Sequence, residues 1–585
     1  MFKEKTKNGL TVRAYRGDAM TLLAFNLDEQ KNTPDFVGFT IEFVVPGGTK
    51  KFSQTNMLNF DGVDEARPST EAPFQKFRWL HVPGSRFQPL NETKYGIYTY
   101  HISPRYWDTA NDKLKPIDNN LTVSLDIKVD TFDEEDIQVS FTRGFTTSQA
   151  YVGRFGDNSN IIPPGSALIP DINVVSGTDP KGHTYTFKDQ YEWMGFKARE
   201  KTLTLLDEVI ADNKLSVEIF AYDFNEPAVM DRLLKLAAKG RIKMILDSST
   251  STKEGETIGH GTASSTETKF FNQFKNVKVN GAGIVRGKFS RLQHHKVIIV
   301  KKDNVPVKVL TGATNFSITG FCVNANHVII FDSPKVAQKY HEVFEASWGT
   351  AKMKAFRGTT LSQKAFQFSP PDTPLSIINF APHEEARTTE ILDAITSRID
   401  KAKSAVLFSV MSLASNTGGS VVPKLREVHK NPDIFTYGVS DSVKGVSLYK
   451  PGRKNGLLIN AQSLKNVLPP PFDKEVKIKA HNIHHKFVVV DFNKPTAVVY
   501  CGSSNLALGG ENSNGDNLIE IRNQEIATVF AIEALRLVDH YHFRANQINA
   551  EENNDPIILK KTNSWAKPYY DKTDIKFLDR NLFCG

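Results

Sequence analysis

The chain has 585 residues, 40% hydrophobic and 24% charged. That balance excludes wholesale disorder, and the length exceeds one hydrophobic core, so about three domains are expected. The net charge is +8, from 73 basic and 65 acidic side chains; it tolerates an anionic partner such as phospholipid or nucleic acid without demanding one, and no Lys/Arg run marks a nucleic-acid arm. Cys322, Cys501 and Cys584 are too few, and odd in number, for a disulfide scaffold. The start, MFKEKTKNGLTVRAY, lacks the apolar core of a secretory signal. No apolar run reaches the ~18 residues of a membrane span. The chain is therefore expected to be soluble and cytoplasmic as synthesised, with leaderless export left open.

Residues 1–155 read as β. Short alternating or aromatic-rich runs at 10–15, 36–45, 77–82, 95–102, 121–130 and 137–142 are separated by Gly, Pro, Asn and Asp clusters, the spacing of an antiparallel immunoglobulin-like sandwich. Asn91-Glu92-Thr93 has the form of a glycosylation acceptor, read as coincidence without a signal segment. Residues 156–190, rich in Gly, Pro, Ser and Asp, read as a linker. From there helix-like and strand-like stretches alternate: helix 197–213, strand 215–224, a helix closed by Gly240, strand 242–247. The order recurs with helix 388–403, strand 404–413, helix 421–430 and strand 434–441. This is a duplicated α/β pattern, with a first half at 191–370 and a second at 371–585.

Each half carries a related segment. Gln293-His294-His295-Lys296 precedes VIIV and then Thr311-Gly312-Ala313-Thr314-Asn315; Ile483-His484-His485-Lys486 precedes FVVV-Asp491 and then Cys501-Gly502-Ser503-Ser504-Asn505. The two leading histidines are 190 residues apart, 484 minus 294. Residues i and i+2 of a strand share a face, so His294 projects with Lys296 and His484 with Lys486, while His295 and His485 turn into packing. Asn315 and Asn505 join from the neighbouring strand. Lysine and amide donors suit the non-bridging oxygens of a phosphate, and an imidazole can attack phosphorus or pass a proton near neutral pH. Displacement through a covalent intermediate needs two such imidazoles, and the duplication supplies both.

These segments resemble the paired HxKxxxxD and GSxN motifs of the phospholipase D superfamily, over roughly residues 190–550. The resemblance implies two α/β halves sharing one cleft and a phosphohistidine mechanism without metal or other cofactor. It places His294 and His484 as catalytic histidines and Lys296, Lys486, Asn315 and Asn505 at phosphate-binding positions. Asp491 is the motif aspartate. Asp516, and more weakly Glu520, stand where the family has an acid that orients an imidazole.

The first copy departs from the pattern. Lys301 replaces the motif aspartate, and Asn326, followed by His327, stands where the orienting acid is expected. The second half, with Asp491 and Asp516, therefore reads as the better furnished, and the roles of the two histidines stay open. His481 beside His484 lacks the Cys or carboxylate set of a metal site. Tyr222, Asp223, Asn225 and Glu226, and in the second half Ser412, Ser415, Gly418 and Gly419, are candidates for the cleft rim. The expected activity is a hydrolase acting on a phosphodiester, best a phospholipid. Alternatives are a nuclease of the same superfamily and an impaired binding protein. The β domain is left to dock a membrane surface or a partner.

Overall fold

The computed structural model describes residues 2–62, 65–84, 93–134, 136–144, 149–156, 158, 160–413, 421–441, 452–460, 483–552 and 557–585. Asn91, Glu92, Ser415, Gly418, Gly419 and His481 lie outside these residues.

The N-terminal region is all β. One antiparallel sheet runs Phe2–Lys7, Leu10–Arg16, Thr21–Leu27, Arg78–His81, and a second runs Lys113–Leu114, Gly96–Asp108, Phe36–Val44, Lys51–Ser53, with Val123–Val129 also paired to Gly96–Asp108. Burial alternates along Leu10–Arg16 and Val123–Val129, as it must in strands with one wet face. The inward residues, among them Val12, Phe25, Phe39, Ile41, Tyr100 and Leu125, form one core.

The remainder is built on two mixed sheets with the same strand order. The first runs Phe132–Asp133, Ile137–Phe141, His327–Phe331, Val305–Gly312, Val297–Lys302, Leu215–Ala221, Ile242–Asp247, Gly283–Gly287. The second runs Phe366–Phe368, Ser376–Ala381, Asp516–Ile521, Val498–Gly502, Lys486–Val490, Ala405–Val410, Phe435–Ser440, Leu457–Asn460. Helices cover both, so central strands such as Val297–Lys302 and Lys486–Val490 are buried on both faces and read as continuous apolar runs. Helix Pro227–Ala237 is followed by Gly240 at φ +71°, the left-handed turn that glycine tolerates.

Three segments sit elsewhere than their sequence suggests. The run 137–142, read above as sandwich, forms strand Ile137–Phe141 and pairs with His327–Phe331: it is the first-half counterpart of Ser376–Ala381. Its partner lies almost two hundred residues downstream, so nothing local marks it. Residues 156–190 are not a bare linker. They hold the hairpin Val175–Thr178/Thr184–Thr186 and the start of helix Phe187–Ala211, capped reciprocally by Thr186 and Asp189 and kinked at Phe196. The C-terminal tail leaves the second half and returns to the β domain. There Ala566 and Tyr569 enter its core, and the Tyr15 hydroxyl donates to Phe583 O at 2.6 Å.

Between the two sheets runs helix Gln524–Glu552, whose Phe530, Leu537 and Val538 are fully buried in a core that draws residues from both halves and from Tyr15, Met20 and Leu22 of the β domain. Each such large apolar side chain contributes about 1.5–3 kcal/mol, so the halves are held face to face by a shared core.

Candidate active site

The two halves meet where each His-x-Lys segment enters its strand. Gln293 pairs in parallel with Gly515, and Ala325 with Ile483. The His294 N–H donates to Gly515 O at 2.9 Å, and the His484 N–H to Ala325 O at 3.1 Å. These pairs are related by the 190-residue offset of the repeat: 294 to 484, 325 to 515, 326 to 516. The crossing backbone contacts therefore form a local pseudo-twofold, and each half presents the residue after its own crossing point to the other half's histidine.

That geometry exchanges the partners. Asp516 of the second half accepts a hydrogen bond from His294 Nδ1 of the first at 2.7 Å. Asn326 of the first half meets His484 Nδ1 of the second at 3.0 Å through its side-chain oxygen. A carboxylate or amide oxygen accepts here, so each Nδ1 carries the proton and each Nε2 keeps its lone pair. The expectation that the second half is better furnished is thus reversed: the carboxylate serves the first histidine, because the orienting loop crosses between halves. Asn326 does stand where the missing acid was noted, but the imidazole it faces is His484.

Lys296 and Lys486 are each 1% exposed. Lys296 Nζ donates to His294 O at 2.5 Å and Lys486 Nζ to His484 O at 3.0 Å, and Lys486 Nζ lies 3.3 Å from His484 Nε2. Burial pushes Lys296 down to about 7. Burial, and then Lys296 itself, pushes Lys486 well below the usual lysine range. Burial likewise lowers His294 to about 4, against the pull of Asp516, so its imidazole is neutral at physiological pH. Burial opposes ionisation of Asp516, but His294 and Lys296 outweigh it and hold the carboxyl below its ordinary range. Two lysines whose charged forms burial disfavours, beside two imidazoles, make a socket whose ammonium forms a bound anion would favour.

Asn315 is buried and Asn505 half-buried, and each carries an Oδ1 with no hydrogen-bond partner among the described residues. Both follow a glycine in left-handed backbone, Gly312 at φ +141° and Gly502 at φ +122°. A Cβ at Gly502 would meet Asn517 O at 2.6 Å, and one at Gly312 would strike His327 O; no other residue allows this approach of the loop to the Asn326 and Asp516 crossings.

The model of the family described as cardiolipin synthase, phospholipase D-like domain, matches twice, at residues 206–348 and 395–537. The chain belongs to the phospholipase D superfamily. It carries the domain in duplicate, and superfamily enzymes act on phosphodiesters. No curated protein matches the sequence. Among solved structures it is similar to Porphyromonas gingivalis polyphosphate kinase, at 10% identity and TM-score 0.39, over 63% of this chain and 54% of that one, so it spans about half of that protein. It is similar to Haemophilus influenzae phosphatidylserine synthase, at 11% identity and TM-score 0.39, over 60% and 90%. It is also similar to the Salmonella typhimurium phospholipase D family member Nuc, at 25% identity and TM-score 0.19, over 25% and 85%.

Within this phospholipase D framework, other sequence candidates fall away from the socket. Asp491 ends strand Lys486–Val490, and accepts the N–H groups of Lys403 and Ser404 at 2.8 Å each. With these contacts it anchors the entry to strand Ala405–Val410. Lys301 does the equivalent with charge reversed: its ammonium pairs with buried Glu218 at 2.5 Å across strands Val297–Lys302 and Leu215–Ala221. Glu520 pairs with Arg522. Glu226 caps helix Pro227–Ala237 and binds Arg199, and Asn225 accepts from the Ile318 N–H.

Tyr222 does reach the site. Its ring stands 4.8 Å from that of His294, and Lys296 Nζ lies 4.9 Å from the ring centre. His295 turns away and packs on Phe220 and Phe289. The sequence reading missed what stands behind His485. Its ring stacks on His327, with the two Nδ1 atoms 3.1 Å apart, and its Nε2 meets Glu533 at 3.1 Å; Arg536 holds Glu533 at 2.7 Å. Glu533 lies 48 positions beyond His485 on another element, so no motif could have announced it.

Proposed function

We propose that the chain transfers the phosphoryl centre of a phosphodiester through a phosphohistidine on His294, with a phospholipid as substrate. The observation that carries the reading is the unequal pairing of two imidazoles, His294 on a carboxylate and His484 on an amide, beside two buried lysines. His294, neutral and oriented by Asp516, attacks phosphorus through Nε2; the N–P bond forms as the bond to the leaving oxygen breaks. His484 carries a proton in this step and gives it to that oxygen. Its amide partner stabilises the imidazolium less than a carboxylate would, which makes it the stronger acid. His484 then takes a proton from the incoming water or alcohol, whose oxygen displaces His294 from phosphorus. Lys296, Lys486, Asn315 and Asn505 hold the non-bridging oxygens throughout.

The description of the matching family supports a lipid substrate. Head-group release from phosphatidylcholine and phosphatidylglycerol vesicles, run beside nicking of plasmid DNA, tests it: lipid turnover alone is expected, and nicking alone would replace the lipid reading with a nuclease. His294→Ala and His484→Ala are each expected to lower turnover by at least about 10³-fold. Full activity in either variant would exclude the two-histidine mechanism. Stalling the second step in His484→Asn should leave an acid-labile phosphatidyl group on His294, seen by mass spectrometry of the intact chain.

A further inference from the structure

Beyond the histidine–lysine socket, the first half holds a second cluster with metal-ligand chemistry. Asp223, His260 and Glu267 each place one ligand atom within 4.8 Å of the others. They come from three separated positions: the turn after strand Leu215–Ala221, the loop before helix Thr266–Val277, and the first turn of that helix. Tyr222 joins the cluster to the socket, its ring 4.6 Å from that of His260 and 4.8 Å from that of His294.

We propose that Asp223, His260 and Glu267 bind a divalent cation on the cleft wall beside His294. The donor set is one imidazole and two carboxylates, a zinc-type N/O set of three protein ligands with one position left for water or substrate. Each ligand is held through one atom while another stays uncommitted among the described residues. Asp247, fully buried, meets His260 Nδ1 at 2.9 Å. This is the carboxylate–histidine pairing that orients metal-bound imidazoles, and it leaves Nε2 on the Glu267 side, 4.0 Å from that carboxylate. Glu267, only 4% exposed, accepts the Phe224 N–H through Oε1 at 3.1 Å, with Oε2 uncommitted. Asp223 accepts from Ser317 Oγ through Oδ2, with Oδ1 uncommitted. A metal about 2.1 Å from each ligand holds tetrahedral pairs about 3.4 Å apart, so side-chain rotations of about an ångström close the set. Asp223 and His260 are half-buried, which gives the ion a way in.

A comparable triad, Glu218, His341 and Glu345, is closed by its own partners. Lys301 and His341 occupy both oxygens of Glu218, and Lys243 pairs with Glu345. Around His260, by contrast, stand three carboxylates, Asp223, Asp247 and Glu267, beside a socket that attracts anions. A divalent ion there turns a wall that repels an anionic substrate into one that attracts it. This role rests on the phosphodiester reading; the binding site does not.

Calorimetric titration of the chelator-treated full chain with zinc chloride tests the site, with thermal melts to verify folding. One equivalent is expected to bind, to be lost in His260→Gln and Glu267→Gln, to weaken about tenfold or more in Asp247→Asn, and to persist in His341→Gln. If His260→Gln fails to melt cooperatively, Asp223→Asn, at a half-buried position, replaces it. Absence of bound zinc, or zinc that survives these changes at the triad, overturns the site. Zinc bound as expected with no fall in KM for the phosphodiester overturns the substrate-attracting role alone. Zinc binding in a chain that turns over no phosphodiester leaves the site standing and removes the proposed function.

Discussion

At the scale of the residue, the proposed division of labour rests on the unlike hydrogen-bond partners of two chemically identical histidines. Asp516→Asn keeps the geometry but removes the charge that fixes the His294 tautomer; kcat is expected to fall by about 10²–10⁴ with little change in KM, read from steady-state kinetics. Asn326→Asp does the converse. A carboxylate on His484 stabilises its imidazolium and raises its pKa, so the alkaline limb of the kcat profile should move to higher pH. Changes in the free chain set the profile of kcat/KM. His294, depressed to about 4, is neutral and reactive above that pH and is lost as the pH falls through it. Lys296, depressed to about 7, keeps its charge below that pH and loses it above. The profile of kcat/KM should therefore rise near pH 4 and decline past pH 7. The two histidine–lysine pairs were legible because strand geometry places i and i+2 together. Which partner each imidazole receives was not, because the 190-residue repeat says nothing of the crossing that exchanges Asp516 and Asn326.

At the scale of the element, the motif aspartate is part of a strand junction. Asp491→Ala removes the acceptor of the partly buried Lys403 and Ser404 N–H groups, at a cost of about 1 kcal/mol each. A lowered midpoint in denaturant melts is expected, with the pH profile of turnover unchanged. The α/β alternation from residue 197 onward was readable from apolar runs and from punctuation such as Gly240. The strand Ile137–Phe141 was misplaced because its alternation suits any sheet, and only pairing with His327–Phe331 assigns it. Helix Phe187–Ala211 begins ten residues ahead of its expected start, behind the Thr186/Asp189 cap, in a stretch whose Gly and Asp content suggested coil.

At the scale of the molecule, three parts of the chain converge on one buried cation. Arg78 of the β domain pairs with Asp579 of the C-terminal tail at 2.8 Å and also with Asp539 of helix Gln524–Glu552. Arg78→Met would strand two acids, and removal of one member of a buried set typically costs about 3–5 kcal/mol; a lower melting midpoint is expected, with limited proteolysis releasing the tail first. That the chain holds a β domain and two halves could be inferred from composition and repeat. That its last residues close back on its first could not, since their contacts with Tyr15 and Phe36 leave no periodic trace.

The crossing at Gly515 and Ala325 has a consequence for how such a chain diverges. A change in one copy's loop alters the chemistry of the opposite copy's histidine and leaves its own untouched. A single acid–amide difference between loops then gives two equivalent imidazoles unlike partners, the difference on which the proposed nucleophile and acid roles rest, without altering either histidine. The halves repeat in sequence yet complete each other in space: the imidazole of each copy takes its hydrogen-bond partner from the other.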